Sequence, residues 1–422
     1  MSKKPAFRPL TVELEIASVG ARGDGLARWQ GEQVFVPFTL AGEKVIAKLE
    51  GRRGDGLTAN AIELLSIASD RAEPPCPLFG RCGGCGLQHM EDASLARWKR
   101  DRLVTALARI GVAEDKVAGL VAVPPGTRRR ASFAFLRRKQ DLVLGFNERA
   151  SHRLVEIDHC LLLAPQLLNL LPGLRALLTA CLPSGDAGDL MMTLTDSGID
   201  LVIRSDHRLD LFAREQLASF AETHDLAKLT WQSEPVAHRR PAQIHMGGVA
   251  VDLPPGGFLQ PSREGEAALV KLVLEAMPAK GAIADLYAGS GAFSFPLAAA
   301  GHAVHAVEGE PQSIAALSSA ARRNNLRITT EQRDLAQRPL LADELQAFAA
   351  VIFDPPRAGA SAQAEQLAKS GPETVVAVSC NPATLARDAG LLLGGGYQLE
   401  RATPVDQFPW SAHLEAVALF RR

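Results

Sequence analysis

The sequence lacks a long unbroken apolar run, an excess of either charge and enough evenly spaced cysteines for a disulfide framework. Each shortage excludes something. The longest apolar stretch, residues 161 to 182, is interrupted by Pro165, Gln166, Asn169, Pro172 and Arg175, so it reads as a packed amphipathic helix and not a membrane span. The opening MSKKPAFRPL has basic residues but no apolar block behind them, so neither a secretory signal nor an anchor is expected and the predicted location is cytoplasmic, with no membrane partner. Lys and Arg total 46 against 47 Asp and Glu, so bulk charge announces no nucleic acid, and binding one requires basic residues gathered on one face. Candidate runs are Arg52-Arg53, Arg128-Arg129-Arg130, Arg137-Arg138-Lys139 and Arg239-Arg240. Six cysteines, three of them within ten residues, point to a metal or cluster site plus one reactive thiol. No internal repeat or low-complexity tract stands out, and nothing demands an obligate protein partner or more than a monomer.

A chain of 422 residues exceeds what one core usually organises, so two or three domains are predicted. Residues 10 to 66 alternate strand-like runs (TVELEIASV, EQVFVPF, EKVIAKLE, TANAIELL) with glycine-rich turns, the pattern of a small antiparallel barrel of the oligonucleotide-binding kind. SLARWKRDRLVTALARIG follows a cysteine-rich loop, and its apolar stripe predicts a helix ending at Gly111. Residues 120 to 250 mix strands and a few helices. From Ala282 the rhythm becomes strand, loop, helix, which implies a parallel sheet covered on both faces, closed by two β-rich segments with no helix between them. The expected fold is α/β: a Rossmann-like domain with an N-terminal OB-like barrel and a mixed α+β central domain. The expected boundaries are 1–70 for the barrel, 71–92 with 120–255 for the central domain, and 93–119 with 256–422 for the Rossmann-like domain.

At the first strand-to-helix turn, DLYAGSGAF places Gly289 and Gly291 where backbone can approach a ligand closely. A dinucleotide loop would carry a third glycine where Ser294 stands, and Glu308 ends the second strand where an acid accepts hydrogen bonds from ribose hydroxyls. A nucleoside without pyrophosphate fits, and S-adenosylmethionine is the expected cofactor. FDPPRAG puts Asp354 after the fourth strand and SCNP puts Cys380 after the fifth, both facing the crevice. Asn381 is a good N-cap and Pro382 a good first helical residue, so the helix terminus is expected to favour a thiolate at Cys380. A buried inert thiol is the competing reading.

A thiolate beside a methyl donor suits C5 of uracil. Addition of sulfur at C6 turns C5 into an enolate carbon able to take the methyl, after which a base removes the C5 proton. Glu415, in AHLEAVALF, is the candidate base, against a charged residue on an exposed strand face. CPLFGRCGGC supplies Cys76, Cys82 and Cys85, which Cys160 could complete as four sulfurs for an iron–sulfur cluster or structural zinc. His89 is a zinc ligand only under the second option.

With the barrel, the cysteine loop, GFLQ at 257–260, DLYAGSG, DPPRAG, SCNPATLARD and HLE, the chain resembles the RNA uracil-5-methyltransferase family over nearly its whole length, and in particular its 23S ribosomal RNA branch with a TRAM domain and an iron–sulfur cluster. That resemblance implies Cys380 as nucleophile and Glu415 as base. It implies donor contacts from Gln260, Tyr287, Glu308, Asp354 and Asp334, a [4Fe-4S] cluster on Cys76, Cys82, Cys85 and Cys160, and RNA as partner. Ser262 and Ala292 stand where the family often has Asn, each removing an amide from the donor site. Competing functions are a transfer RNA uracil-5-methyltransferase, an amino-group methyltransferase, disfavoured by DPPR with SCNP, and a noncatalytic RNA-binding iron–sulfur sensor.

Overall fold

The computed structural model describes residues 9–422, so the reading of the opening segment lies largely outside the described residues. The chain divides into two compact units. One holds the described residues up to Arg102 with Glu148–Ser151 and Trp410–Ala412; the other holds Leu103–Asn147, His152–Pro409 and His413–Arg422. The cysteine loop therefore groups with the N-terminal sheet, and most of the central and Rossmann-like segments fall in the second unit.

The first unit is built on a six-stranded OB-like sheet in which Lys44–Arg53 pairs antiparallel with both Leu10–Glu15 and Gly56–Leu64. Alternating burial along Lys44–Arg53 turns Val45, Ala47 and Leu49 inward against Leu14, Val34, Val36 and Leu57. The strand Gly25–Trp29 was not among the predicted runs, because glycine and a short span hide its alternation.

In the second unit, residues 130–238 form a seven-stranded, mainly antiparallel sheet carrying the helices Pro165–Cys181 and Leu211–Thr223. The interrupted apolar stretch is indeed a helix, with Pro165 in its first turn and Leu167, Leu170, Leu171 and Leu174 buried. Among the described residues no helix is long and apolar enough to cross a membrane.

The remaining strands make an eight-stranded sheet in the order Ile328–Gln332, Ala303–Glu308, Ala282–Leu286, Ala350–Phe353, Thr374–Ser379, Glu415–Arg421, Gln398–Asp406 and Val121–Ala122. The first five are parallel, and Glu415–Arg421 runs antiparallel to both of its neighbours, as the missing helix before it required. Ala350–Phe353 and Thr374–Ser379 are buried throughout, which matches a sheet covered on both faces. Strand order reverses beside Ala282–Leu286, so the C-terminal ends of that strand and of Ala350–Phe353 flank the crevice where such sheets bind ligands.

Candidate active site

Four strand ends converge on this crevice. After Leu286 the backbone turns through Tyr287 at φ 61°, Gly289 at φ 55° and Gly291 at φ 106°. Tyr287 is a non-glycine residue held in left-handed backbone. Gly291 is obligatory for a further reason: a Cβ there would lie 2.4 Å from the Phe295 ring. Glu308 stands against this turn, its carboxylate accepting from Gly289 N at 2.9 Å and from Glu310 N at 2.7 Å. Asp334 is exposed beyond the third strand, where it accepts from Ala336 N at 3.0 Å. Burial first, then the charges of Asp388, Asp334 and Glu308, push the Tyr287 phenol up to about 12.

Asp354 is tied to the first strand end by its backbone N–H, which donates to Leu286 O at 3.2 Å. The helix Pro382–Gly394 holds the loop behind it: Asp388 accepts from Ala360 N at 2.7 Å, and Arg387 donates to Ala358 O at 2.9 Å. Asn381 caps that helix by accepting from Ala383 N at 3.1 Å, as its residue type predicted. Cys380 lies immediately before the cap and is partly exposed. Ser379 pairs with Ala416, so the next positions of the antiparallel ladder are Cys380 and Glu415. Glu415 opens its strand 6% exposed, which removes the reading of a solvated strand-face charge.

The electrostatics reverse one expectation. Burial, then Glu415 and Asp354, push the Cys380 thiol up to about 11, opposite in direction to the thiolate expected beside the helix terminus. Desolvation is the larger effect, and the carboxyl groups of Glu415 and Asp354 add to it by charge. Burial and the Asp285 charge raise Asp354 to about 7, while burial and Asp354 raise Glu415 to about 8. Asp285 is the acid that sequence reasoning missed. It is fully buried and raised to about 7 by burial; Ser294 Oγ donates to its Oδ2 at 2.5 Å and its Oδ1 has no partner. A lone acid inside the apolar strand AIADL was the available signal.

Gln260 is buried and bonds Asp354, its Nε2 donating to Oδ2 at 3.4 Å. Arg129 donates to the backbone oxygen of Gln260 at 3.1 Å and pairs with Glu266 at 2.7 Å, so one of the predicted RNA-facing arginines is instead structural. Other basic runs are likewise paired: Arg52 with Glu32, Arg53 with Asp24, and Arg239 and Arg240 with Asp225. Ser262 caps the helix Arg263–Ala276 by accepting from Gly265 N at 3.0 Å, a structural use for the residue that replaces the family's Asn.

The sequence profile described as tRNA (Uracil-5-)-methyltransferase matches residues 249–422, the segment that holds these groups. An uncharacterized RNA methyltransferase of Brucella suis is 42% identical over 414 residues, covering 98% of each chain. A 23S rRNA (uracil(1939)-C(5))-methyltransferase of Tolumonas auensis is 33% identical over 437 residues, covering all of this chain and 98% of its own. The chain belongs to the RNA uracil-5-methyltransferase family. It is an RNA methyltransferase of that class, and its fold agrees. The structure of a Pyrococcus abyssi tRNA (uracil-54, C5)-methyltransferase, held with S-adenosyl-L-homocysteine, superposes with a TM-score of 0.76 at 22% identity, over 97% of this chain and 99% of that one.

The cysteine loop of this methyltransferase lies in the first unit. Cys76 N donates to Gln88 Oε1 at 3.1 Å, Gly84 N donates to Cys82 Sγ at 3.4 Å, and Cys76, Cys82, Cys85 and Cys160 are all partly exposed. Among the described residues, no group of three or more His, Cys, Asp or Glu that could hold a metal ion is found. His89 is fully buried, packs against Phe38 and Phe79, and is lowered to about 4 by burial, so it is a neutral core histidine.

Proposed function

We propose that this RNA uracil-5-methyltransferase uses S-adenosylmethionine to methylate C5 of a uridine in 23S ribosomal RNA, through a covalent bond between Cys380 and C6. The observation that carries the mechanism is the placement of Cys380 and Glu415 at facing positions of one ladder, with Asp354 acting electrostatically on both. Donor binding is supported by the open cradle at Gly289, where an added Cβ would meet nothing within 4 Å, by the adjacent Glu308 carboxylate and by the S-adenosyl-L-homocysteine held in the archaeal protein of the same fold. Tyr287, Gly289, Gly291, Glu308 and Gln260 would hold the donor, with Asp334 at its outer edge. When bound, the donor supplies an electrophilic methyl on a sulfonium, whose positive charge lowers the proton affinity of nearby acids.

The chain's own groups divide the proton work. Asp354 takes the Cys380 proton as the sulfur bonds C6, leaving the electron pair on C5. Once C5 carries the methyl, the Glu415 carboxylate removes the C5 proton, the sulfur–C6 bond breaks, the double bond re-forms and Asp354 returns its proton to sulfur. One proton leaves overall, from Glu415 to solvent. Ribosomal RNA is preferred because the Tolumonas relative that acts on it aligns over the whole chain, including the OB-like sheet, read here as a TRAM domain that grips RNA in the cytoplasm.

The test uses RNA labelled with tritium at uridine C5. Donor-dependent release of tritium from ribosomal RNA is expected, one per methyl transferred. Methyl transfer with the label retained would overturn C5 chemistry, and release from transfer RNA alone would overturn the ribosomal assignment. The [4Fe-4S] proposal rests on the cysteine motif, with Cys76, Cys82, Cys85 and Cys160 as the four thiols that would hold the cluster. Protein prepared without oxygen should contain about four iron and about four sulfide per chain; metal-free protein of full activity would remove the cluster from the proposal.

A further inference from the structure

Gln407 lies just past the strand Gln398–Asp406 and is 2% exposed. Its Nε2 donates to Gln260 Oε1 at 3.1 Å, and Gln260 Nε2 in turn donates to Asp354 Oδ2 at 3.4 Å. The other end of the Gln407 amide is orphaned: Oε1 is buried without a hydrogen-bond partner, packed so close to Gly265 that a Cβ there would lie 2.1 Å away. A buried amide that leaves its own oxygen unsatisfied calls for an explanation beyond packing.

Amide chemistry supplies one. A primary amide has a donor end and an acceptor end related by a half-turn, and its neighbours decide which end faces which way. The backbone of Gln260 is already fixed by Arg129, so only its side-chain amide is left to orient. Turned round, Gln260 would aim its carbonyl oxygen at the Asp354 carboxylate, and its NH₂ would meet the NH₂ of Gln407. The Gln407 donor penalises that state.

We propose that Gln407 is a positioning residue, which locks the Gln260 amide with its NH₂ toward Asp354 and so keeps Asp354 an acceptor in the active site. The inference rests on the proposed role of Asp354. Asp354 is faced by Asp285 from the first strand, by Cys380 and Glu415 from the two strand ends beyond it, and by Gln260 as the one hydrogen-bond donor on its side chain among the described residues; Arg357, in its own loop, acts on Cys380. Burial and the Asp285 charge oppose ionisation of Asp354, and one donor favours it. Losing that donor moves ionisation of Asp354 to higher pH.

The experiment measures affinity for S-adenosylmethionine by calorimetry across about pH 5.5 to 9.5, because a carboxylate near the cationic donor strengthens binding as it ionises. In Gln407→Met, which keeps the volume and removes the donor, the midpoint of the affinity rise should move up by roughly half a pH unit or more. Gln260→Met should move it equally, and the double variant no further than either alone, since both act through one contact. Gly265→Ala, which displaces Gln407 without touching Gln260, should reproduce the shift and serves where Gln407→Met folds poorly. Weaker binding at every pH with an unmoved midpoint would reduce Gln407 to packing, and additive shifts would make the two glutamines independent; either overturns the proposal. Wild-type protein that binds S-adenosylmethionine at no pH would instead refute the donor reading, and the inference with it.

Discussion

Replacing Cys380 with alanine is expected to lower methyl transfer by at least about 10⁴-fold, because no other group near C6 can make C5 nucleophilic. The same variant should form no covalent complex with RNA carrying 5-fluorouridine, whereas wild type should form one in the presence of donor. Fluorine at C5 cannot leave as a proton, so the wild-type adduct persists after methylation and migrates as a protein–RNA band in a denaturing gel. Donor affinity should be nearly unchanged in Cys380→Ala, since the sulfur faces the base. Two results would defeat the assignment: an adduct in the alanine variant, or turnover within about tenfold of wild type. The high proton affinity of the thiol adds a rate signature. With Cys380 at about 11 and its acceptor Asp354 at about 7, sulfur ionisation is uphill in the empty site, so adduct formation should depend strongly on bound donor.

Glu415→Gln is expected to separate two effects. Turnover should fall by about 10² to 10⁴-fold, the usual contribution of a positioned base, and methylated RNA should accumulate bound to Cys380 because its C5 proton cannot be removed. Wild-type turnover should rise with pH through about 8, where the Glu415 carboxylate forms. Stability should move the other way. The folded-state value of this carboxyl is raised to about 8, while the unfolded chain releases the proton near the ordinary value of about 4.3, so between those limits the native state binds more protons and stability falls as pH rises. Glutamine has no such titration. The melting temperature of Glu415→Gln should therefore exceed that of wild type by a margin that widens from about pH 5 to about pH 9. An unchanged margin across that range would mean that Glu415 is not held protonated in the folded protein, and loss of the accumulated RNA complex would mean that another group removes the proton.

Much of the crevice was legible in the chain because each local choice agrees with the next. Gly291 must be glycine, Asn381 and Pro382 start a helix, and apolar strands buried on both faces alternate with helices. Those signals rank the strand ends by position, and Cys380, Asp354 and Glu308 follow from that order. Other features escaped for physical reasons. Arg129 looks like a phosphate contact beside Arg128 and Arg130, yet its partner Glu266 lies far along the sequence and only folding brings the two to 2.7 Å. Gln407 carries no charge and no pattern; its role appears only when its amide is seen against Gln260. Asp285 could have been flagged as an acid within an apolar strand, but its shared field with Asp354 depends on adjacent strands of the sheet.

Backbone conformation, helix starts and the alternation that builds a parallel sheet are short-range matters, settled by steric limits and side-chain types within a few residues, and the amino-acid order alone determined them here. Ionisation was decided only in three dimensions. Desolvation and charge coupling depend on which groups folding brings together, and that is why burial, Glu415 and Asp354 push up the proton affinity of a thiol whose neighbours in the chain favour its anion.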